Sequence, residues 1–307
     1  MANGSLKDEA VYFGDYAAYT GESGTETNMW VVEDIYDFIA VRNIDDTSGS
    51  SVYIRLVNDI DFNDHSFYRN GIGSTLYNNN DYYLYGDNHK IKNLVSLNTN
   101  SHILKFQYVE KVDFTNVVAI NTSRFPILMA TADNCDFGIY ISNSAINIAM
   151  SNVDVKITNC TFNIKGKSTG VNVIHAYNTI FQTCHFNFDI SANFDSYGRV
   201  FDSAGSSTIN TYINCYFTGK INSSGDITYF SNFSNFINSY FAIEWTGQSY
   251  KYGQNASNFS VCFVDKELFN KNGDYWRTID GVSELTTAQA QSTDYLNSIG
   301  FLAGSVE

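Results

Sequence analysis

The sequence predicts an all-β chain folded as a parallel β-helix, a solenoid of about seven to nine coils closed by short helices. Three observations predict this fold: a motif that recurs roughly every 25 residues, apolar side chains that alternate within each copy, and a single proline, Pro126, in 307 residues. Proline cannot donate a hydrogen bond to a neighbouring strand. Its scarcity therefore suits a chain whose strands are nearly all central.

The repeat is clearest around the five cysteines. Each occupies the same position of one motif, as in "DNCDFGI", "TNCTFNI" and "QTCHFNF", and serine or valine holds that position in two further copies. The seven cysteine positions, 23 to 31 residues apart, are Val112, Cys135, Cys160, Cys184, Cys215, Ser239 and Cys262. Leucine-rich and propeller repeats have similar lengths, but their L-x-x-L-x-L and W-D signatures are not found in this sequence.

Two further positions of the repeat are apolar in every copy. Three residues before the cysteine position stand Val109, Ala132, Ile157, Phe181, Tyr212, Phe236 and Phe259. Two residues after it stand Phe114, Phe137, Phe162, Phe186, Phe217, Phe241 and Val264. After the cysteine position the alternation is that of a strand with one buried face.

The odd offset before the cysteine position breaks this alternation, so a bend must separate two strands. Asparagine, which tolerates the left-handed backbone region, directly precedes the cysteine position in four copies. These residues are Asn134, Asn159, Asn214 and Asn238. Each coil is therefore predicted to hold a strand, an asparagine corner and a second strand.

Stacked coils would place the cysteines in one internal column with neighbours about 4.8 Å apart. A thiol is small, polarizable and easily buried, and Val112 and Ser239 hold the same position, which a required ligand or nucleophile would not permit. Five cysteines in one line also leave one without a disulfide partner. We predict that the cysteines fill space in the core; metal or redox chemistry is the alternative.

The composition argues against two classes of partner. The formal net charge is −14, which disfavours nucleic acid and anionic membranes. No run of eighteen apolar residues occurs, and "MANGSLKDEA" lacks a basic region followed by an apolar core. We expect a soluble protein with no signal peptide and no transmembrane segment, which would reach the outside of a cell by another route such as lysis.

The N-terminal residues divide into two predicted segments. Residues 1–28 are rich in Gly, Ser, Thr and acidic residues, and we interpret them as a leader or as an arm that docks on a virion partner. The candidate anchors of this arm are Tyr12, Phe13, Tyr16 and Tyr19. Residues 29–45 predict an amphipathic helix that caps the first coil. Its apolar face would hold Val31, Ile35, Phe38 and Ile39.

Residues 46–268 are assigned to the β-helix itself. The apolar helix of residues 29–45 is followed by a strand that ends in "LVNDIDFN" and by the turn and strand "GDNHKIKNL". This order resembles the entry to right-handed parallel β-helix proteins of the pectate-lyase-like superfamily, over roughly residues 30–265 in architecture. The resemblance implies a fold familiar from bacterial surface proteins and bacteriophage appendages, many of them homotrimers. Fold alone does not transfer function.

The stretch "NDIDFND" is similar to the start of a calcium-binding loop, because Asp59, Asp61 and Asn63 alternate. It lacks the glycine at the sixth position and the glutamate at the twelfth that such a loop needs. The sequence therefore predicts a structural turn there.

Residues 269–307 leave the repeat and predict a C-terminal cap or docking segment. Thr286 with Gln289 fits a capping box at a helix start. Ala288, Leu296 and Ile299 are the candidate apolar stripe.

One spacing, between Cys184 and Cys215, is 31 residues and exceeds its neighbours. Insertions in a solenoid form loops on one face, often the binding face. The candidate glycan-contacting residues in and before this insertion are Asp189, Asp195, Tyr197, Arg199 and Asp202. Two carboxylates with an arginine and a tyrosine suit glycoside hydrolysis, and they equally suit a solvated loop with a surface ion pair.

No other motif points to catalysis. The histidines lack metal-binding spacing, and the sequence has neither a glycine-rich phosphate loop nor a G-x-S-x-G elbow. We therefore predict no catalytic, cofactor-binding or metal-binding residue and no cofactor.

Three functions remain open at this point. The favoured one is a non-enzymatic bacteriophage virion protein, a head or tail fibre or decoration subunit on the particle surface. It would dock on other virion proteins through one terminus, assemble as a possible homotrimer and contact host-surface polysaccharide. The alternatives are a glycan-binding surface adhesin and a polysaccharide-degrading tailspike.

Overall fold

The computed structural model of the chain describes the repeat region and both of its flanks. The described residues are 24–41, 51–62, 66–67, 81–97, 102, 104–121, 127–142, 146–147, 155–168, 172–192, 198–203, 208–223, 228–247, 250–254, 257–269 and 280–298. Within them lie strands β1–β27 and four short helices, numbered in chain order. The helices are α1 (Ile35–Ala40), α2 (Lys266–Phe269), α3 (Thr287–Ala290) and α4 (Thr293–Ser298).

The strands form three sheets that run along the solenoid, and every strand pair among the described residues is parallel. The first sheet contains, in spatial order, β1 (Trp30–Val32), β2 (Ser51–Leu56), β5 (Asp81–Tyr85), β8 (Leu104–Glu110), β10 (Ile127–Asp133), β13 (Val155–Thr158), β16 (Thr179–Gln182), β19 (Asn210–Ile213), β22 (Ser234–Ile237) and β25 (Asn258–Ser260).

The second sheet has twelve strands and the third has five. The second contains β3 (Ile60–Asp61), β4 (Ser66–Phe67), β6 (Lys90–Lys92), β7 (Val95–Leu97), β9 (Asp113–Ile120), β11 (Asp136–Ser142), β14 (Thr161–Ser168), β17 (His185–Ala192), β20 (Tyr216–Ser223), β23 (Tyr240–Gly247), β26 (Cys262–Asp265) and β27 (Val282–Leu285). The third contains β12 (Ile146–Asn147), β15 (Asn172–Ala176), β18 (Gly198–Ser203), β21 (Thr228–Asn232) and β24 (Tyr250–Gln254).

The chain visits the sheets in a fixed order, so each turn of the solenoid lies on the turn before it. The prediction of an all-β parallel β-helix is confirmed, with about seven turns.

The two predicted apolar columns are interior columns of the solenoid. Phe114, Phe137, Phe162, Phe186, Phe217 and Phe241 stack along the second sheet. Their ring centroids are 4.8 to 5.2 Å apart and their planes are within 7° of parallel. Phe181, Tyr212, Phe236 and Phe259 stack in the same way on the first sheet, at 4.7 to 5.0 Å.

The asparagine corner is also confirmed. Asn134, Asn159, Asn214 and Asn238 have φ angles of 46° to 53°, in the left-handed region. Each corner amide donates to a carbonyl of the next turn; the Asn134 amide, for example, lies 3.1 Å from the carbonyl oxygen of Thr158. The corner therefore turns the chain from the first sheet into the second without losing a backbone hydrogen bond.

The N-terminal end differs in part from the helix predicted over residues 29–45. Trp30–Val32 pairs with β2 as strand β1, and the helix begins only at Ile35. Adjacent valines favour a strand, and this strand satisfies backbone groups of β2 that would otherwise form the edge of the sheet. Within α1, Phe38 is fully buried and packs edge-to-face on Phe62, so the helix covers the apolar interior.

Residues 24–28 of the predicted arm lie against the first turn. The carbonyl oxygen of Gly24 accepts a hydrogen bond from the Tyr53 amide at 2.9 Å. The candidate anchors Tyr12, Phe13, Tyr16 and Tyr19 lie outside the described residues.

The C-terminal segment begins with one more strand of the second sheet, and helices α3 and α4 then fold onto that sheet's outward face. The predicted capping box is present: the Thr286 side chain accepts from the Gln289 amide, and the Gln289 side chain accepts from the Thr286 amide. Leu296 is buried as predicted, whereas Ala290 is buried in place of the exposed Ala288. Helix α3 has a single turn, so one side of it alone meets the sheet. Ile299 lies outside the described residues.

Asp265 ties this cap to the solenoid. Its carboxylate accepts hydrogen bonds from the amides of Glu267 and Leu268 at the start of α2 and from the hydroxyl of Thr287 at 2.7 Å. A buried carboxylate needs such partners. One side chain therefore joins α2, α3 and the last repeat strand.

The carboxylates of the "NDIDFND" turn accept hydrogen bonds from side chains and backbone amides of the protein. Asp59 accepts from the Lys90 amide and the Lys92 ammonium, and Asp61 accepts from the Asn93 side chain at 2.7 Å. The hydrogen bond from Lys92 is the main cause that lowers the pKa of Asp59. The described part of this turn has the structural role that the sequence predicts; Asn63 lies outside it.

Val261 holds the corner position before Cys262, with a φ of 53° and 58% of its surface exposed. The left-handed region costs a side chain about 1–2 kcal/mol, and β-branching adds to the strain. We expect Val261→Asn to raise the free energy of unfolding by about 1 kcal/mol, measured by urea denaturation. Tyr140→Asn replaces an exposed apolar residue of an ordinary strand and should give no gain. A Val261→Asn protein less stable than the parent would contradict this account of the corner.

Candidate functional site

The insertion between Cys184 and Cys215 places its predicted residues on two different sheets. Asp189 lies on the outward face of β17, exposed, between Lys165 of β14 and Lys220 of β20. Arg199 and Asp202 lie on β18 of the third sheet. Asp195 and Tyr197 lie outside the described residues.

Arg199 and Asp202 are brought together, and the contact is largely buried. Nη1 of Arg199 lies 3.0 Å from Oδ1 of Asp202, whose residue is 5% exposed. The same carboxylate accepts from the Asn232 side chain at 2.8 Å. The guanidinium and the amide together offset the cost of burying this carboxylate, as in a structural ion pair. The Asp202 side chain thus joins two adjacent strands of the third sheet, β18 and β21, while Asp189 faces solvent from the second sheet.

Asn210 completes this polar network, and the sequence analysis did not single it out. Its side-chain nitrogen donates to the carbonyls of Ala176 and Asp202, and its side-chain oxygen accepts from the Thr179 amide at 3.1 Å. One fully buried amide therefore satisfies three backbone groups where the third sheet gives way to the first. A single asparagine after the longest insertion is too weak a sequence signal to reveal this role.

All five cysteines are free and buried. Their thiols point at backbone oxygens: Sγ of Cys184 lies 3.4 Å from the carbonyl oxygen of Ile157 in the preceding turn and 3.5 Å from that of Gln182. Cys215 and Cys262 repeat this pair of contacts, and so does the hydroxyl of Ser239. In these copies the cysteine position holds a small side chain that donates a hydrogen, whereas Val112 fills the same buried position by packing alone.

Burial also suppresses the chemistry of these thiols. It raises the pKa of Cys160 and of Cys215 well above the usual range and raises the pKa of Cys262 to about 11. The thiolate is the form that attacks electrophiles and binds metals. No group of three metal-ligating side chains occurs among the described residues.

A cluster of tyrosines on the outward face of the first sheet is the most distinctive surface feature near the N-terminal end. We call it the tyrosine grid: Tyr53, Arg55, Tyr83, Tyr85, Tyr108 and Glu110. These residues fill the outward positions of three neighbouring strands in two columns. The rings of Tyr53 and Tyr83 stack at 4.6 Å, and those of Tyr85 and Tyr108 are tilted at 5.5 Å.

Polar groups surround these rings. The hydroxyl of Tyr108 donates to Glu110 at 3.1 Å, Lys111 contacts the same carboxylate at 2.9 Å, and Arg55 pairs with Asp87. Burial, followed by the hydrogen bond to Glu110, raises the pKa of Tyr108. The tyrosine grid thus offers aromatic edges with hydroxyl, carboxylate and guanidinium groups at the spacing of the strands.

The stretches "SVYIRL" and "DYYLY" contain the signal for this grid, since their tyrosines alternate with buried residues. The sequence alone does not give the register between these strands, and the register decides which tyrosines are neighbours. Only the pairing of Tyr53 with Tyr83 and of Tyr83 with Tyr108 brings the rings side by side.

No protein-family model and no curated protein sequence matches this chain. Among solved structures, the chain is similar to a protein from Bacteroides ovatus named a "putative immunoglobulin A1 protease", with a TM-score of 0.45 and 15% sequence identity. The similarity covers 86% of this chain and 79% of that one. No described helix has the length and apolar character needed to cross a membrane.

We expect the five thiols of the folded protein to be inert towards Ellman's reagent at about pH 8, because all five are buried away from the reagent. All five should react once the chain is unfolded in urea. A Thr211→Cys variant adds one thiol on the outward face of β19 and should react in the folded state. Reaction of the native thiols as fast as that added thiol would overturn their structural role.

Proposed function

We propose that the chain is a non-enzymatic structural subunit of a bacteriophage particle, a head or tail fibre or decoration protein. The observation that carries this proposal is the continuous in-register stacking of like side chains through the solenoid. Such packing makes a stiff body and leaves little of the core free to rearrange. The ten strands of the first sheet correspond to a length of about 43 Å at the usual strand spacing, which suits a short projecting subunit.

Among the described residues, the side chains best suited to catalysis or metal binding have structural roles. The thiols donate to carbonyls, Asp202 is buried in an ion pair, and Asp265 caps a helix. These roles favour a structural subunit over a polysaccharide-degrading tailspike. The predicted glycan-contacting set of Asp189, Asp195, Tyr197, Arg199 and Asp202 stays a prediction.

Contact with host-surface glycans is the second part of the proposal, and we assign it to the tyrosine grid. Sugars present many hydroxyls on a partly apolar ring, and tyrosine provides an apolar body with a polar end. The same surface would serve the alternative function, a glycan-binding adhesin. In either case, the N-terminal residues that include Tyr12, Phe13, Tyr16 and Tyr19 are proposed to dock on a neighbouring protein of the particle or cell surface.

The virion assignment is tested on purified particles of the virus that encodes this chain. We expect mass spectrometry to detect the chain in these particles and a gold-labelled antibody to mark a projecting density in electron micrographs. A chain found in the soluble fraction of infected cells and missing from purified particles would refute the assignment.

The glycan contact is tested with Tyr83→Ala, which removes the ring at the centre of the grid. If this ring contributes about 1 kcal/mol, binding to a glycan array should weaken about fivefold. Tyr140→Ala removes an exposed tyrosine of the second sheet, 47% exposed, and should leave binding unchanged. Equal binding by the parent and Tyr83→Ala proteins, with unchanged circular dichroism, would exclude the grid as the binding surface.

A further inference from the structure

Exposed apolar side chains gather at the C-terminal end of the first sheet. The described residues hold five large hydrophobic side chains that are exposed, and four of them lie at this end or directly beside it. They are Ile180, Ile209, Ile237 and Val261, which are 41%, 38%, 39% and 58% exposed. Clustering of this kind marks an interaction surface, whereas single exposed apolar residues do not.

The strand register joins these side chains into one surface. Ile180 of β16 pairs with Thr211 of β19, and Ile213 of β19 pairs with Ile237 of β22. Val261 follows Ser260, the partner of Ile237 on β25. We call this surface the isoleucine patch: Ile180, Ile209, Ile213, Ile237 and Val261.

The isoleucine patch lies on four strands whose outward positions hold no acidic residue, in a strongly acidic chain, and Lys156 of β13 pairs with Ile180 at its edge. The other outward positions of β16, β19, β22 and β25 hold neutral polar residues, namely Gln182, Thr211, Asn235, Asn258 and Ser260. The whole chain has a net charge of −14, so two copies repel one another over most orientations. Like charges are screened only beyond about 8 Å at physiological salt. A face without acidic side chains lowers this repulsion where two copies meet.

On the second sheet, by contrast, some apolar residues that face outward are covered by another part of the same chain. There, Tyr240 and Phe263 face outward and are buried under Ala290 and Leu296 of the C-terminal helices. Among the described residues, no helix packs on the isoleucine patch in this way. Four of its five side chains are about two fifths or more exposed, and Ile213 between them is partly exposed.

We propose that the isoleucine patch is the contact face between copies of this chain. The face is part of a parallel sheet, and a twofold rotation would place the paired Ile213 and Ile237 of one copy against those of the other. Such a self-complementary contact is isologous. The apolar area offered is small compared with the roughly 1,200–2,000 Å² of a standard interface. We therefore expect concentration-dependent association with a Kd of about 1–100 μM.

Sedimentation velocity over about 1–500 μM protein tests the contact, a range that brackets the expected Kd. The parent chain, 34.4 kDa as a monomer, should shift to a higher mass as its concentration rises. Ile237→Lys places a charge within the patch and should hold the chain at monomer mass. Tyr140→Lys makes the same change at an exposed position of the second sheet and should associate like the parent.

A parent chain that stays monomeric at the highest concentration would overturn the proposal. So would an assembly whose mass is unchanged by Ile237→Lys. Circular dichroism and urea denaturation of each variant distinguish lost association from lost folding.

Cross-linking locates the contact independently. Because the native thiols are buried, an added cysteine is the one accessible site for a short bis-maleimide. Thr211→Cys lies within the region of the patch and should give a cross-linked band of two chains. Asn222→Cys lies exposed on β20 of the second sheet and should not. Equal cross-linking of both variants would place the contact elsewhere. A virion subunit and an adhesin are equally compatible with this contact, so its loss leaves the proposed function standing.

Discussion

In-register stacking of each turn on the one before is the constraint on which the rest of the structure depends. It is fixed at the corner between the first and second sheets, where a left-handed residue is followed by the cysteine position. The corner amide bonds to the next turn, and the cysteine-position thiol or hydroxyl bonds to the preceding one. Each corner is thereby joined to the turns on both sides. A slip of one residue would turn the whole apolar set of a strand outward.

The aromatic columns follow from this registration. Once the corners align, side chains at equal offsets must meet, and flat rings can stack face to face at a spacing near 4.8 Å. Each stacked pair contributes about 0.5–1.5 kcal/mol beyond its buried area. The column from Phe114 to Phe241 and the column from Phe181 to Phe259 also meet edge to face, at 5.4 Å between Phe181 and Phe186. The core is thus specified by geometry as well as by hydrophobicity.

Most of the fold was predictable because constant offsets within the repeat fix the register between successive turns. The offsets of Ile157 and Phe162 from Cys160 recur along the chain, so their pairing follows without coordinates. The N-terminal cap was less predictable, since Val31 suits a strand and a helix face equally and tertiary pairing decided between them. The tyrosine grid could not be predicted from the sequence for a similar reason. Its strands precede the regular repeats, and a long segment separates Tyr53 from Tyr83.

The outward face of the first sheet is under weaker structural constraint than its inward face, so its composition is informative about function. Inward positions must pack, whereas outward positions need only tolerate water and a pleated backbone. Threonine and lysine meet that need in the middle of the face, at Thr131 and Lys156. The tyrosines at one end add ring stacking to the fold, whereas the exposed isoleucines at the other end gain nothing comparable and increase the risk of aggregation. Their presence at two separate ends of one sheet is compatible with both proposed contacts being made at once, with a glycan at the tyrosine grid and with another copy of the chain at the isoleucine patch.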